Sequence, residues 1–361
     1  MGVITNIRLS NVRSHTSGEF IFAHDMNAIV GPNGSGKTTI LEALYLLLQG
    51  SSFKGTVADI AQYGSNQFRT QLTYASKSTT HQRSLGFQQV ERVMLKKWSV
   101  DQKKYARLPV SARLPVVLFE PDLGRLISGG PERRRNYIDQ IASQVDIEVA
   151  VAQNRFAKVL KQRNHQLKYL REQNSKKATE DLFVWNTQLA HQAQTIVTAR
   201  KRIITQLQKE ATRFYQQLGG TDDIVITYLS SVSEDTDSYG ARLLQFLDTS
   251  LIHDIRLGHT SYGPHRDDVE ILLADQPAVD RASRGEIRTI VVALKLLETE
   301  LLSEHYKDSG IKPILLLDDV LSELDLVHQE RVLQGLKDHQ VFLTTTDAHA
   351  LNADVHTIFL E

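Results

Sequence analysis

Apolar and polar positions divide the chain into stretches of different period. Val3, Thr5, Ile7 and Leu9 alternate with polar neighbours, the period of a half-buried strand, and Phe20-Ile21-Phe22 predicts a second. Met26 to Val30 is a short strand that runs into a glycine-rich turn. Beyond the turn, Ile40, Leu41, Ala43, Leu44 and Leu46 to Leu48 form the apolar face of a helix. Residues 51–110 are polar, with short strand-like pieces such as Gln88 to Leu95. Val116 to Phe119 is an unbroken apolar run of the kind buried on both faces of a sheet. From about 145 to 215 proline and glycine are absent, and Leu182, Trp185, Leu189, Ile196, Ile203, Leu207 and Phe214 recur at helical steps. This predicts a long helix, preceded by another over about 146–172, with the turn at Asn174 to Asp181. A helix of roughly 34 residues spans only about 50 Å, so the pair is a hairpin packed on the body and not the arm of a long coiled coil. After Gly219-Gly220 the pattern is mixed again. A helix from Ser283 to Leu302 turns Ile290, Val291, Ala293, Leu294, Leu297 and Leu301 inward, and Ile314 to Leu317 and Val341 to Leu343 are buried strands.

The glycine-rich turn carries the first chemistry. Gly31-Pro32-Asn33-Gly34-Ser35-Gly36-Lys37-Thr38 fits G-x-x-x-x-G-K-[ST], followed by Thr39 on the helix. Glycines at 31, 34 and 36 let successive N–H groups turn inward around phosphate oxygens, and the helix opening near Thr38 aims its positive end at the anion. Lys37 reaches the terminal phosphates of a nucleoside triphosphate such as ATP, and Thr38 ligates Mg²⁺. The second half is Pro313 to Asp319, a buried strand that ends in two carboxylates. Asp318 is placed to hold the magnesium, and Asp319 to orient or deprotonate the attacking water.

The run Asp318-Asp-Val-Leu-Ser-Glu-Leu-Asp325 is similar, position by position, to the Walker B strand and D-loop of ATP-binding-cassette (ABC) ATPases. That resemblance implies a signature motif offered across a dimer to the partner's γ-phosphate. Two stretches compete. Leu126-Ile-Ser128-Gly129-Gly130-Pro-Glu-Arg133 has the closer letters, but it lies far before Asp318. Ala282-Ser283-Arg284-Gly285-Glu286 opens the helix that leads to the Walker B strand, which places Ser283 and Gly285 at a helix N-terminus. The second is taken as the signature.

Composition limits the partners. The 361 residues hold 42 Lys plus Arg against 42 Asp plus Glu, so nucleic-acid binding has to use local basic patches. With no cysteine, disulfides, thiolate zinc sites and Cys nucleophiles are excluded. No signal-peptide pattern and no long apolar run is present, which predicts a cytoplasmic protein with no membrane partner.

Further stretches resemble the RecF family of bacterial DNA-gap repair. Arg8 to His15 is similar to the N-terminal strand shared by RecF, Rad50 and SMC heads. Leu118 to Leu123 with Gly130 to Asp139, and Tyr262-Gly-Pro-His265-Arg266-Asp267-Asp268, resemble RecF blocks absent from transporters. The resemblance implies an α/β fold, an ABC-type P-loop ATPase head of the Rad50/SMC kind with an inserted mainly helical lobe. The head is expected over 1–120 and 256–361 and the lobe over 121–255. It implies an ATP-dependent homodimer that binds double-stranded DNA at single-strand gaps, acts with RecO and RecR in loading RecA, and belongs to DNA replication, repair and the SOS response. Slow, DNA-stimulated ATP hydrolysis would reopen the dimer. Alternatives are a nucleotide-regulated DNA-binding module with negligible turnover and a transporter nucleotide-binding subunit, the latter disfavoured by the RecF blocks. Arg13, Ser14 and His15 are candidates beside the nucleotide, and Arg133-Arg134-Arg135 either contact DNA phosphates or cap a helix. The cluster His265 to Asp268 is expected to pair with itself. Two departures stand out: Glu286 replaces the family's usual Gln, and Thr344-Thr-Thr346 stands where transporters carry a histidine. Thr346 is the hydroxyl expected near phosphate, and His349 is expected on the surface.

Overall fold

In the computed structural model, which describes residues 2–76, 79–173, 177–232, 238–347 and 355–361, the apolar runs become a five-stranded parallel sheet. Its order is His356–Phe359, Met26–Val30, Val341–Thr345, Ile314–Asp318 and Val116–Phe119. Four of these strands are buried along almost their whole length, as expected for a sheet covered on both faces. The helix Lys37–Gln49 is buried on nearly every side because its sequence is apolar all round.

The polar stretch 51–110 holds most of a six-stranded antiparallel sheet. Strand Gln67–Ser76 hides Phe68, Thr70, Leu72 and Tyr74, and strand Thr79–Val90 hides Arg83, Leu85 and Phe87, with polar residues between them facing out. Gln88 to Leu95 is not one strand. It spans the tight turn between Thr79–Val90 and Val93–Val100, where Glu91 takes a left-handed φ of 53°. Leu44, Ile7, Leu72, Trp98, Leu316 and Phe342 belong to one hydrophobic core that joins this sheet to the parallel one.

The backbone divides into two units, residues 1–123 with 295–361, and residues 124–294. The division falls at 294/295 and not at 255/256, because strand Asp268–Leu273 pairs antiparallel with Ile224–Leu229 inside the second unit. That unit is otherwise helical. It contains Pro131–Val145, Ile147–Gln173 and Lys177–Gln217. The last has 41 residues, about 60 Å, longer than the sequence pattern suggested yet still short of a coiled-coil arm. Leu182, Leu189, Ile196, Ile203, Leu207 and Phe214 are buried along it. Fully buried Arg163 joins the two long helices by donating to Asn186 at 2.7 Å, and it ion-pairs with Asp254 of helix Leu251–Leu257 at 2.8 Å and donates to Thr260. Among the described residues no helix is long and apolar enough to cross a membrane.

Candidate active site

The phosphate loop leaves the sheet between two parallel neighbours, and the Gly31 amide still donates to the Thr345 carbonyl at 3.3 Å. Gly34 and Gly36 sit at φ 88° and 94°, the left-handed region that favours glycine. At Gly36 the need is also steric. A Cβ there would come within 2.4 Å of both the Ser14 hydroxyl and the His15 ring. Lys37 follows as the first helical residue, and its buried ammonium folds back to donate to the carbonyls of Gly31 (2.7 Å) and Pro32 (2.9 Å). Pro32, Asn33 and Gly34 are exposed, Thr39 is buried, and the Ser35 hydroxyl is buried without a hydrogen-bond partner.

Asp318 ends its strand in the loop's reach. The Thr38 hydroxyl donates to its Oδ1 at 2.7 Å, and the Thr344 hydroxyl donates to the same oxygen at 3.0 Å. Its Oδ2 has no hydrogen-bond partner and faces the Lys54 ammonium at 3.5 Å, although the side chain is only 1% exposed. Asp319 adopts φ 54°, donates its amide to the Thr344 hydroxyl at 2.8 Å, and keeps a buried Oδ1 unpartnered. Hard oxygen donors with spare acceptor capacity fit Mg²⁺. No cluster of three His, Cys, Asp or Glu exists among the described residues, so the remaining ligands would be phosphate oxygens and water.

Of the three N-terminal candidates, Ser14 and His15 reach the loop, and the His15 Nε2 lies 3.1 Å from the Gly36 carbonyl. Arg13, beside them, takes φ 47° and pairs its guanidinium with buried Glu42 on the following helix, at 2.6 and 2.8 Å, where Ser52 also donates. Thr344 and Lys54 were missed by sequence reasoning. Thr344 pairs with Asp318 in the strand register, whereas Thr346 is exposed. His349 lies outside the described residues.

Ser283 and Gly285 belong to the second unit, at the start of helix Arg284–His305. The Ser283 amide donates to Glu286 Oε2 at 2.8 Å, and the Glu286 amide donates to the Ser283 hydroxyl at 3.3 Å. This is a reciprocal capping box. The Ser283 amide and hydroxyl, with Arg281 nearby, hold the Glu286 carboxyl below the usual carboxylate range. Ser283, Arg284 and Gly285 are exposed, and a Cβ on Gly285 would meet nothing within 4 Å.

The competing stretch is braced by its own arginine, although Ser128 and Gly130 are exposed. Arg134 forks onto Asp268 at 2.9 and 2.8 Å and donates to the carbonyls of Ile127 and Gly129. A Cβ at Gly129 would lie 2.4 Å from the Arg125 carbonyl. Arg135 donates to the Asp267 carbonyl, so of the three arginines only Arg133 is exposed. Asp267 is buried among Ser231, Tyr228 and Tyr239, and burial pushes the His265 imidazole down to about 4. The charged cluster His265 to Asp268 is therefore internal bracing.

The RecF/RecN/SMC N-terminal domain family matches residues 3–359. The DNA replication and repair protein RecF of Ruminiclostridium cellulolyticum is 31% identical to this chain, covering 96% of it and 93% of that protein. RecF of Citrifermentans bemidjiense is 33% identical, covering 97% and 95%. A solved structure of the recombination mediator protein RecF-ATPrS in the RecFOR pathway superposes with TM-score 0.88 at 27% identity, over 100% of this chain and 98% of that one. An Smc head bound to the C-winged helix domain of ScpA shares the fold alone, with TM-score 0.55 at 14% identity over 96% of this chain and 90% of that one. With a phosphate loop, a Walker B strand and an inserted helical lobe in one ABC-type ATPase head, this chain belongs to the RecF family of DNA replication and repair proteins.

Proposed function

We propose that two copies of this chain sandwich two ATP molecules, each held by the phosphate loop of one copy and by Ser283 with Gly285 of the other. The observation that carries this reading is the bond from Thr38 to Asp318, taken together with an exposed signature serine. Inward N–H groups of Gly34 to Thr38 bind the phosphates, and Lys37 exchanges its two loop carbonyls for phosphate oxygens. Thr38 and Asp318 would hold Mg²⁺, which would supply charge neutralisation at the phosphate oxygens. Asp319 Oδ1 accepts a proton from water as that water's oxygen bonds to the γ-phosphorus. The bond to the β-γ bridging oxygen breaks, releasing ADP and phosphate. Ser283 completes the site only across the dimer, so ATP binding closes the pair and hydrolysis reopens it.

Closure clamps duplex DNA near a single-strand gap, in the cytoplasm, where the protein works with RecO and RecR to load RecA. Support for a DNA surface comes from the outer strands of the antiparallel sheet. Arg92, Lys96, Lys97, Lys103, Lys104 and Arg107 are all exposed there, and none is ion-paired among the described residues. Of the two carboxylates among them, Asp101 is taken by His81. In a chain of zero net charge this is a local phosphate-binding face.

Gel filtration and ATPase rates with and without gapped duplex DNA test the proposal. ATP-dependent dimers with DNA-stimulated turnover are expected. Dimers that bind DNA without hydrolysis would instead make the chain a nucleotide-regulated binding module. Failure to bind DNA in any nucleotide state would refute the clamp.

A further inference from the structure

We propose that Glu286 is an electrostatic brake on ATP-driven closure, acting through the capping box it forms with Ser283; this rests on the reading that Ser283 meets the partner's γ-phosphate. The box uses two N–H groups that an incoming anion would otherwise find at this helix start. The Ser283 amide is taken by Glu286 Oε2 at 2.8 Å, and the Glu286 amide by the Ser283 hydroxyl at 3.3 Å. The occupant is a full negative charge. The Ser283 amide and hydroxyl hold the Glu286 carboxyl below its usual range, so it stays ionised at neutral pH. A terminal phosphate that approaches Ser283 therefore meets an engaged amide and a carboxylate one helical turn away. It must displace that carboxylate or bear its repulsion.

Nearby cations offset this only in part. Arg281 is the cation that acts on Glu286, and it already pairs with Asp222 at 3.4 Å. Arg284 is exposed and its charge is screened by solvent. The glycine at 285 opens space above the serine, so the obstacle to a phosphate is charge and not bulk. Because a closed dimer holds two such sites, the penalty counts twice. Closure in this chain then depends on a further favourable contribution, such as bound DNA.

Gln at 286 would keep the box, since its carbonyl oxygen still accepts the Ser283 amide, though less strongly than a carboxylate, and would remove the charge. The test is sedimentation of wild type, Glu286→Gln, Glu286→Ala and Ser283→Arg with ATP and with ADP, across a salt series. Glu286→Gln should tighten the ATP dimer about tenfold or more, leave the ADP state unchanged, lower the unfolding midpoint only slightly through the weaker cap, and lose its advantage as salt rises. A purely structural role would leave Glu286→Gln like wild type in ATP and would weaken only Glu286→Ala. That result, with Ser283→Arg still blocking dimers, overturns the brake alone. If Ser283→Arg dimerises normally with ATP, the Ser283 reading fails and the brake fails with it.

Discussion

Asp318 is 1% exposed and takes hydroxyls from Thr38 and Thr344, with Lys54 across from its other oxygen, whereas Ser283 stands in the open with its amide and hydroxyl bonded to Glu286. The first is a preorganised half-site. Its strand ends are fixed by parallel pairing, Gly31 and Gly36 by contacts that exclude a Cβ, and its Lys37 by two loop carbonyls. The second is a helix start that satisfies itself and waits for another surface. Burial holds charges ready for a ligand of known shape. Exposure leaves a group available to a partner, and the capping box keeps it ordered meanwhile.

The largest effect should come from the preorganised half. Lys37→Met should cut hydrolysis by about a hundredfold to a thousandfold, measured by phosphate release, because it removes the cation aimed at the terminal phosphates. Turnover near wild type would mean that the loop is not the catalytic half. Next is the stretch that mimics the signature. Arg134→Ala should lower unfolding stability by about 3 kcal/mol in denaturant titration, since it strands Asp268 and two carbonyls. The folded protein should still dimerise with ATP. Loss of dimers with an intact fold would instead make Leu126 to Gly130 the signature. Smaller in energy is the basic sheet edge. Lys96, Lys97, Lys103 and Lys104 changed together to Ala should flatten the salt dependence of DNA affinity by roughly 0.9 in log–log slope for each phosphate that these lysines neutralise. An unchanged slope would place the DNA elsewhere.

Four strands of the parallel sheet and the loop were legible because each depends on local letters, buried apolar runs and glycines at fixed spacing; the edge strand His356–Phe359 was not. Of the antiparallel sheet only the first two strands were legible, since the outward positions of the others are polar and their inward ones include Thr70 and Arg83, so hydrophobic alternation is diluted. Thr344 could not be told from Thr345 and Thr346 by sequence. Only the register that sets Thr344 beside Asp318 distinguishes it. The pair that Arg13 makes with a buried acid on the loop helix, Glu42, was not legible either. Glu286 was visible as a departure from the family. Its bond to the Ser283 amide, which explains how an acid is accommodated there, emerged only from the structure.

The central claim is that the site is composite, and Ser283→Arg tests it most directly. Sedimentation with fluorescent ATP should show the variant binding nucleotide like wild type while remaining a monomer at concentrations where wild type is dimeric. A variant that binds ATP and dimerises like wild type would contradict the account.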